Sequence, residues 1–211
     1  MGCTAEGIAG ALRAAAEVIA EHRVELIELD RAIGDADHGE NMHRGFTAIV
    51  SALDTAAADN PGALLKLAAT TLISKVGGAA GPLYGTGFLR AATALGTASE
   101  VDSVAVAAAL RAALEGVQAR GKAVAGDKTM VDALIPAVSA AEAGADADIA
   151  TMLEAAASAA SGGAQSTVDM VARKGRASYL GERSAGHLDP GARSSALILG
   201  AFAKAASEAA R

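Results

Sequence analysis

Residues 30–42 read DRAIGDADHGENM and separate two stretches with a helical pattern of apolar residues. The first stretch covers residues 4–29, and the second covers residues 41–53. Apolar positions recur every three or four residues in both, as on the buried face of an amphipathic helix. The sequence therefore predicts a helix, a glycine-containing loop with three aspartates and a histidine, and a second helix.

The same alternation of helices and glycine-rich loops continues to the C-terminus, and no strand-like alternation is convincing. About eight helical segments are predicted in a single domain over residues 1–211. The six that follow are 61–76, 84–95, 101–120, a segment after Gly126 that Pro136 would kink, 147–173 with a break expected at Gly162 and Gly163, and 190–211. Asn60-Pro61 and Asp189-Pro190 are typical helix starts, since Asn and Asp cap a helix and Pro suits its first turn.

The composition favours an all-α domain and argues against several classes of function. Hydrophobic residues make up 52% of the 211 residues, but only 2% are aromatic and four are Pro. Such a core consists of small side chains on closely packed helices. The net charge of -6 and the absence of a basic run argue against nucleic-acid binding.

The expected cellular compartment follows from features that the sequence lacks. The N-terminus does not resemble a signal peptide, and the apolar stretches are too short or too interrupted to span a bilayer. The single cysteine, Cys3, cannot form an intrachain disulfide, which fits a reducing compartment. We therefore expect a cytoplasmic protein without a membrane partner.

Four glycine-rich loops recur at intervals of about two helices. They cover residues 34–39, 77–81, 121–126 and 175–191. In an up-and-down bundle, alternate connections emerge at the same end. The sequence therefore predicts a functional site where these loops meet.

The three aspartates of the first loop predict a metal site. Asp35 and Asp37 are two residues apart, so both side chains point the same way in an extended segment. Asp30 can fold back across Gly34 to meet them. Carboxylates held together repel unless a cation lies between them, and Mg²⁺ favours oxygen ligands. The alternative is that the aspartates only cap helices and solvate a turn.

Other metal and nucleotide motifs do not fit. A calcium loop starting at Asp35 would need Glu where Phe46 stands, and the histidines lack zinc-site spacing. Residues 116–123, GVQARGKA, approach a P-loop but continue a helix and end in Ala123 instead of Ser or Thr. Residues 77–81 precede a helix and offer backbone N–H groups to an anion, although such loops are usually only turns.

Four segments together resemble the L-subunit family of dihydroxyacetone kinases (DhaL). They are residues 34–42 (GDADHGENM), 77–85 (GGAAGPLYG), 126–134 (GDKTMVDAL) and 173–181 (RKGRASYLG), the last followed by 189–192 (DPGA). The resemblance covers nearly the whole chain in the same order. It implies a barrel of eight antiparallel helices in up-and-down order, with a nucleotide at one end.

The resemblance also implies a role for each matching position, with no catalytic side chain among them. Two Mg²⁺ ions would be held by Asp30, Asp35 and Asp37. The nucleotide phosphates would be lined by His38, Gly39, Glu40, Asn41, Ala79 and Ala80. Gly121, Met130 and Arg176 would border the base and ribose, and Asp189, Pro190 and Gly191 would close the site.

The reaction implied by the resemblance is phosphoryl transfer between partner subunits. ADP would stay bound as a coenzyme, be recharged to ATP by the phosphoryl donor DhaM, and pass the group to dihydroxyacetone on the K subunit. A chain of 211 residues leaves no room for the substrate domain of a fused kinase, so a separate subunit is expected.

Two other functions remain open from the sequence, and three positions depart from the family pattern. The alternatives are an ATP-dependent kinase subunit for dihydroxyacetone or another small ketose, and a nucleotide-sensing module that docks on a transcriptional regulator. Whether the Ala-rich interior holds a lipid is also open. Ala36 replaces a usual Gly, Glu40 a usual Thr, and Ala80 a usual Ser.

Overall fold

The computed structural model describes residues 2–211, and this range contains nine α-helices. In order they are α1 (Ala5–Glu21), α2 (Arg23–Ile33), α3 (His38–Leu53), α4 (Pro61–Lys75), α5 (Ala80–Leu95), α6 (Ser103–Gly121), α7 (Met130–Ala143), α8 (Ile149–Ser166) and α9 (Pro190–Ala209). Two short 3₁₀ segments, Thr167–Asp169 and Arg176–Ser184, lie between α8 and α9. Two-residue strands β1 (Cys3–Thr4) and β2 (Glu100–Val101) pair antiparallel.

The helices form a closed ring. From α3 to α9 each helix packs against the next one in the chain, α1 packs against α3, and α9 returns to pack against α1. This confirms the predicted all-α class and fits an up-and-down barrel. The predicted starts at Asn60-Pro61 and Asp189-Pro190 are confirmed, because both side chains accept a backbone N–H of the first helical turn.

The predicted first helix, residues 4–29, is divided in the structure. His22, with φ of −92° and ψ of 10°, separates α1 from α2, and α2 continues to Ile33. The His22 ring is hydrogen-bonded to Glu25, which also forms an ion pair with Arg193 of α9 at 2.6 Å. The division thus coincides with a contact between distant helices, and the sequence pattern contains no sign of it.

Glycines misled the prediction of two other helices. Helix α5 begins at Ala80 instead of Tyr84, so Gly81 lies inside the helix. A Cβ at Gly81 would collide with the Val76 carbonyl, so this position requires glycine. Helix α8 runs without a break through Gly162 and Gly163 and ends at Ser166 instead of Arg173.

The remaining predicted boundaries shift by a few residues. Helix α3 begins at His38 rather than Asn41, and α7 at Met130, where Thr129 and Asp132 form a capping box. Helix α6 begins at Ser103, because Glu100–Val101 pairs with β1.

The ring encloses an apolar cavity of about 670 Å³. Its walls come mainly from α1, α5, α6 and α9 and include Phe88, Ala109 and Phe202. Tyr84 and Ser195 also line it. Within residues 2–211, every helix is too short or too polar to cross a membrane.

Candidate functional site

The three predicted metal-binding aspartates meet in the structure. One carboxylate oxygen from each of Asp30, Asp35 and Asp37 lies within 4.8 Å of the other two. Asp30 is buried at the end of α2, whereas Asp35 and Asp37 are exposed in the α2–α3 loop. Such a set of oxygen donors fits a hard divalent cation such as Mg²⁺.

Backbone hydrogen bonds fix the buried member of this cluster. The Asp30 carboxylate accepts the backbone N–H groups of Asp37, at 2.8 Å, and His38, at 3.1 Å. It therefore caps the start of α3 from the neighbouring helix, while the Asp37 side chain makes no capping bond. Asp37 is left with its carboxylate available to a cation.

Arg176 reaches the same cluster from the other side of the site. Its guanidinium lies 2.9 Å from Asp35, so the loop after α8 contacts the loop after α2. The predicted meeting of these two loops is confirmed. Of the pair, Arg176 is the more exposed, with 68% of its side chain accessible against 34% for Asp35.

Lys128 forms hydrogen bonds with both ends of the segment between α8 and α9, which carries Arg176. Its buried ammonium donates to the backbone carbonyls of Thr167 and His187. These two residues lie near the ends of the segment that connects α8 to α9. Burial lowers the pKa of Lys128, although nearby carboxylates, Asp189 foremost, favour its charged form. The Asp127 carbonyl adds a bond from the Arg173 N–H at 3.1 Å.

The start of α5 lies beside the start of α3. A Cβ on Gly77 would lie 3.5 Å from the Asn41 amide oxygen, which accepts a hydrogen bond from Arg44. Ala79 precedes α5 and makes no side-chain cap, and Ala80 is the first residue of the helix. The first N–H groups of α5 therefore have no capping side chain, and the helix dipole favours an anion at this end.

Two predicted phosphate residues also make structural contacts. Gly39 lies where a Cβ would collide with the Arg23 carbonyl, so α2 and α3 approach closely at this point. The Glu40 side chain forms an ion pair with Arg23. The extra negative charge at Glu40 is thus compensated on the protein surface.

The predicted base-side residues come together in part. A Cβ on Gly191 would lie 3.6 Å from that of Met130, so the starts of α7 and α9 are adjacent. Gly121, at the end of α6, lies beside Leu83. Pro190 is buried in the first turn of α9.

Asp189 combines a cap with an unusual environment. Its carboxylate accepts the Ala192 N–H at 2.8 Å. Burial nevertheless raises the pKa of Asp189 to about 7, despite that bond and the nearby Lys128 charge. Asp132 and Asp30 add to the rise, because like charges disfavour ionisation.

A hydrogen-bonded polar cluster lies behind the site, and of its members only His38 was predicted as a site residue from the sequence. It consists of His38, Tyr84, Ser194 and Ser195, which come from α3, α5 and α9. Burial lowers the pKa of His38 to about 4 and raises that of Tyr84 to about 12. The sequence contained two signals of this cluster. Tyr84 is one of only two tyrosines, and two adjacent serines interrupt an apolar helix.

Taken together, these features define an all-α protein with a carboxylate cluster and an uncapped helix start at one end of a helical ring. Comparison with known proteins gives the family. A sequence model described as the DAK2 domain matches residues 32–204, so the chain belongs to the DAK2 domain family.

Several bacterial relatives match over most of their length. The chain is 48% identical over 185 residues to "PEP-dependent dihydroxyacetone kinase, ADP-binding subunit DhaL" of Escherichia coli, covering 87% of this chain and 88% of that protein. It is 45% identical to a subunit of the same description from Listeria innocua, covering 88% and 89%. These matches confirm the resemblance drawn from the four segments.

Longer kinases match over a part of their length. An L-erythrulose 1-kinase of Mycolicibacterium smegmatis is 34% identical, with 94% of this chain covered but 35% of that protein. The crystal structure of the dihydroxyacetone kinase from C. freundii in complex with AMP-PNP and Mg²⁺ superposes with a TM-score of 0.75 at 27% identity. The chain spans about a third of that kinase, 34% of its length.

Proposed function

We propose that this chain is the ADP-binding phosphotransfer subunit of a PEP-dependent dihydroxyacetone kinase and works in the cytoplasm. The observation that carries the proposal is the meeting of Asp30, Asp35 and Asp37 just before α3, whose first turn lies beside the α4–α5 loop at Asn41 and Gly77. The names of the full-length relatives supply the substrate and the phosphoryl source.

The aspartates are proposed to hold two Mg²⁺ ions together with the phosphates of ADP. Mg²⁺ bound in this way neutralises phosphate charge and orients the transferred group. The acidic protein needs this help, because its net charge of -6 would otherwise repel a polyphosphate.

Other residues of the chain position the nucleotide. The backbone N–H groups at Ala79 and Ala80 would donate to phosphate oxygens, and His38 and Asn41 would border them from α3. Arg176, already beside Asp35, supplies positive charge at the rim. Met130 and Gly191 would contact the base side, with Gly121 farther along the same wall.

The transfer itself is proposed to take place between subunits. The phosphoryl group would arrive from a DhaM-type donor and leave to dihydroxyacetone on a K subunit. Positioning and electrostatics account for most catalysis of this kind, so the chain needs no nucleophile of its own.

The first experiment measures the ligands directly. Native mass spectrometry and metal analysis of the purified protein are expected to find ADP and two Mg²⁺ per chain. The Asp35→Asn/Asp37→Asn variant is expected to lose the metal and at least 100-fold in transfer activity, of the order typical for removed electrostatic stabilisation.

A matched double variant controls for the loss of two surface charges. Asp54→Asn/Asp59→Asn neutralises two exposed carboxylates between α3 and α4 and should keep both ligands. Full transfer activity in the Asp35→Asn/Asp37→Asn protein would overturn the proposed site.

The first alternative is an ATP-dependent kinase subunit for dihydroxyacetone or another small ketose, and the relatives named as erythrulose kinases favour such a substrate. It predicts rapid exchange of bound ADP with free ATP and activity with a K subunit in the absence of DhaM. The second alternative, a module that binds a transcriptional regulator, predicts capture of a regulator without any kinase subunit.

A further inference from the structure

Four side chains behind the carboxylate cluster, three of them buried and His38 half-buried, form one hydrogen-bonded network. His38 Nε2 lies 2.8 Å from Ser194 Oγ, and Ser194 Oγ lies 2.7 Å from the Tyr84 hydroxyl. The Tyr84 hydroxyl is also 2.9 Å from Ser195 Oγ. The network joins the first residue of α3 to α5 and α9, across 110 to 156 residues of sequence.

One assignment of the hydrogens satisfies every hydroxyl of this network. Ser195 has a good main-chain acceptor in its own helix, the Gly191 carbonyl at 2.8 Å. The Tyr84 hydroxyl lies 3.1 Å from the Gly191 carbonyl but makes its shortest contact, at 2.7 Å, with Ser194 Oγ, to which it donates in this assignment.

The hydrogen of Ser194 has two classes of acceptor. Its Oγ lies 2.9 Å from the Pro190 carbonyl and 3.2 Å from the Gly191 carbonyl, but 2.8 Å from His38 Nε2. The imidazole nitrogen is the nearest of the three, and in this assignment Ser194 donates to it. His38 would then carry its own hydrogen on Nδ1.

The backbone of His38 is fixed at the same time. Its N–H donates to the Asp30 carboxylate at 3.1 Å, so one residue joins the network to the carboxylate cluster. Ring and main chain are thus held by different helices, which limits the positions open to the imidazole.

We propose that Ser194 and Tyr84 are positioning residues that hold neutral His38 as the Nδ1–H tautomer, so that the ring offers an N–H donor to the phosphate of a nucleoside diphosphate. This inference rests on the proposed function, because the phosphate is the ligand that would use the donor. With the opposite tautomer, an unprotonated nitrogen would meet an anion, which is unfavourable.

The tautomer can be measured by ¹⁵N NMR of histidine-labelled protein at pH 8, where an ordinary imidazole is neutral. The expected spectrum shows His38 protonated at Nδ1 and unprotonated at Nε2. Ser194→Ala is expected to lose this preference, and Tyr84→Phe to weaken it. Ser194→Thr keeps a hydroxyl and should restore it.

Ser195→Ala is the matched control for the tautomer, because it removes the neighbouring hydroxyl but not the chain from Tyr84 through Ser194 to His38. Circular dichroism and thermal melting show whether each variant folds. An Nε2–H signal in the unmodified protein would overturn the proposal, as would an unchanged tautomer in folded Ser194→Ala.

Binding of Mg·ADP separates this inference from the proposed function. Ser194→Ala is expected to bind Mg·ADP about fivefold more weakly, the usual effect of one hydrogen bond, with Ser194→Thr near the original affinity. Unmodified protein that binds no Mg·ADP would refute the proposed function. Unmodified protein that binds it, with equal affinity in Ser194→Ala, would refute the positioning role alone.

Discussion

Ala36 has a left-handed backbone conformation, with φ of +62°, between two carboxylates of the predicted metal site. This conformation costs an L-residue with a Cβ roughly 1–2 kcal/mol, whereas Gly adopts it freely. The structure thus explains why the family pattern has Gly at this position and shows that Ala36 is accommodated with strain.

Ala36→Gly is expected to raise the free energy of unfolding by about 1 kcal/mol, since it relieves this strain. Urea denaturation of the metal-free protein measures the change. The same substitution at Ala108, which is exposed in the middle of α6, should lower the free energy of unfolding by about 1 kcal/mol. A destabilised Ala36→Gly protein would show that the left-handed conformation is not the source of strain.

The raised pKa of Asp189 makes its contribution to the free energy of unfolding decrease as the pH rises, which is the opposite of the usual effect of a carboxylate. Its pKa in the folded protein is about 7, above the ordinary value of 3.8, so the folded state holds the proton more tightly. Its contribution therefore favours folding at low pH and is lost as the pH rises from about 4 to about 7.

Asp189→Asn should remove this dependence while keeping a capping side chain. The difference in unfolding free energy between the unmodified protein and Asp189→Asn is expected to fall by up to about 4 kcal/mol across that range. Taking the difference removes the contribution of His38, which both proteins share and whose lowered pKa changes the stability in the opposite direction. A difference that does not vary with pH would contradict the raised pKa.

At the scale of helices, two adjacent glycines in α8 have different surroundings. A Cβ at Gly163 would collide with the Asp132 carbonyl and lie 2.7 Å from Pro136 Cγ in α7, whereas a Cβ at Gly162 would meet nothing within 4 Å. The glycine pair was expected from the sequence to break the helix, but the helix continues, and Gly163 allows α7 and α8 to pack closely.

Gly163→Ala is expected to destabilise the protein by about 2 kcal/mol, because the two backbones must separate. Gly162→Ala should stabilise it by about 1 kcal/mol, since Ala is the better helix former. Chemical denaturation of both variants measures the contrast. Equal effects at the two positions would refute the close packing.

Helix starts were the most predictable elements. Asn60 and Asp189 bond to backbone groups three residues away, so the sequence contains the whole interaction. The division at His22 coincides with the contact of Glu25 with Arg193, which is 168 residues away. A local pattern has no information about such a contact.

For the whole molecule, ring closure by α9 against α1 ties the ends of the chain together. The single domain over residues 1–211 remains a prediction. Closure of the helical ring favours it, because separating any two adjacent helices leaves both without one neighbour. Cooperative unfolding in one transition is the expected behaviour.

Thermal unfolding of Tyr179→Phe tests this expectation, because it leaves buried Tyr84 as the single tyrosine. Its near-ultraviolet signal reports the α5–α9 contact, and far-ultraviolet circular dichroism reports all helices. The two midpoints should coincide and rise together with Mg·ADP. Separate midpoints would indicate more than one folding unit.

The sequence by itself determined the all-α class, the glycine-rich loops, the aspartate cluster and the capped helix starts. These depend on interactions between residues close in the chain, or on composition. Only the tertiary structure decided which glycines allow close packing, that Glu40 pairs with Arg23, and that Tyr84 and Ser194 hold His38. The physical reason is that these properties belong to pairs of distant residues, whose distances exist only once the ring has closed.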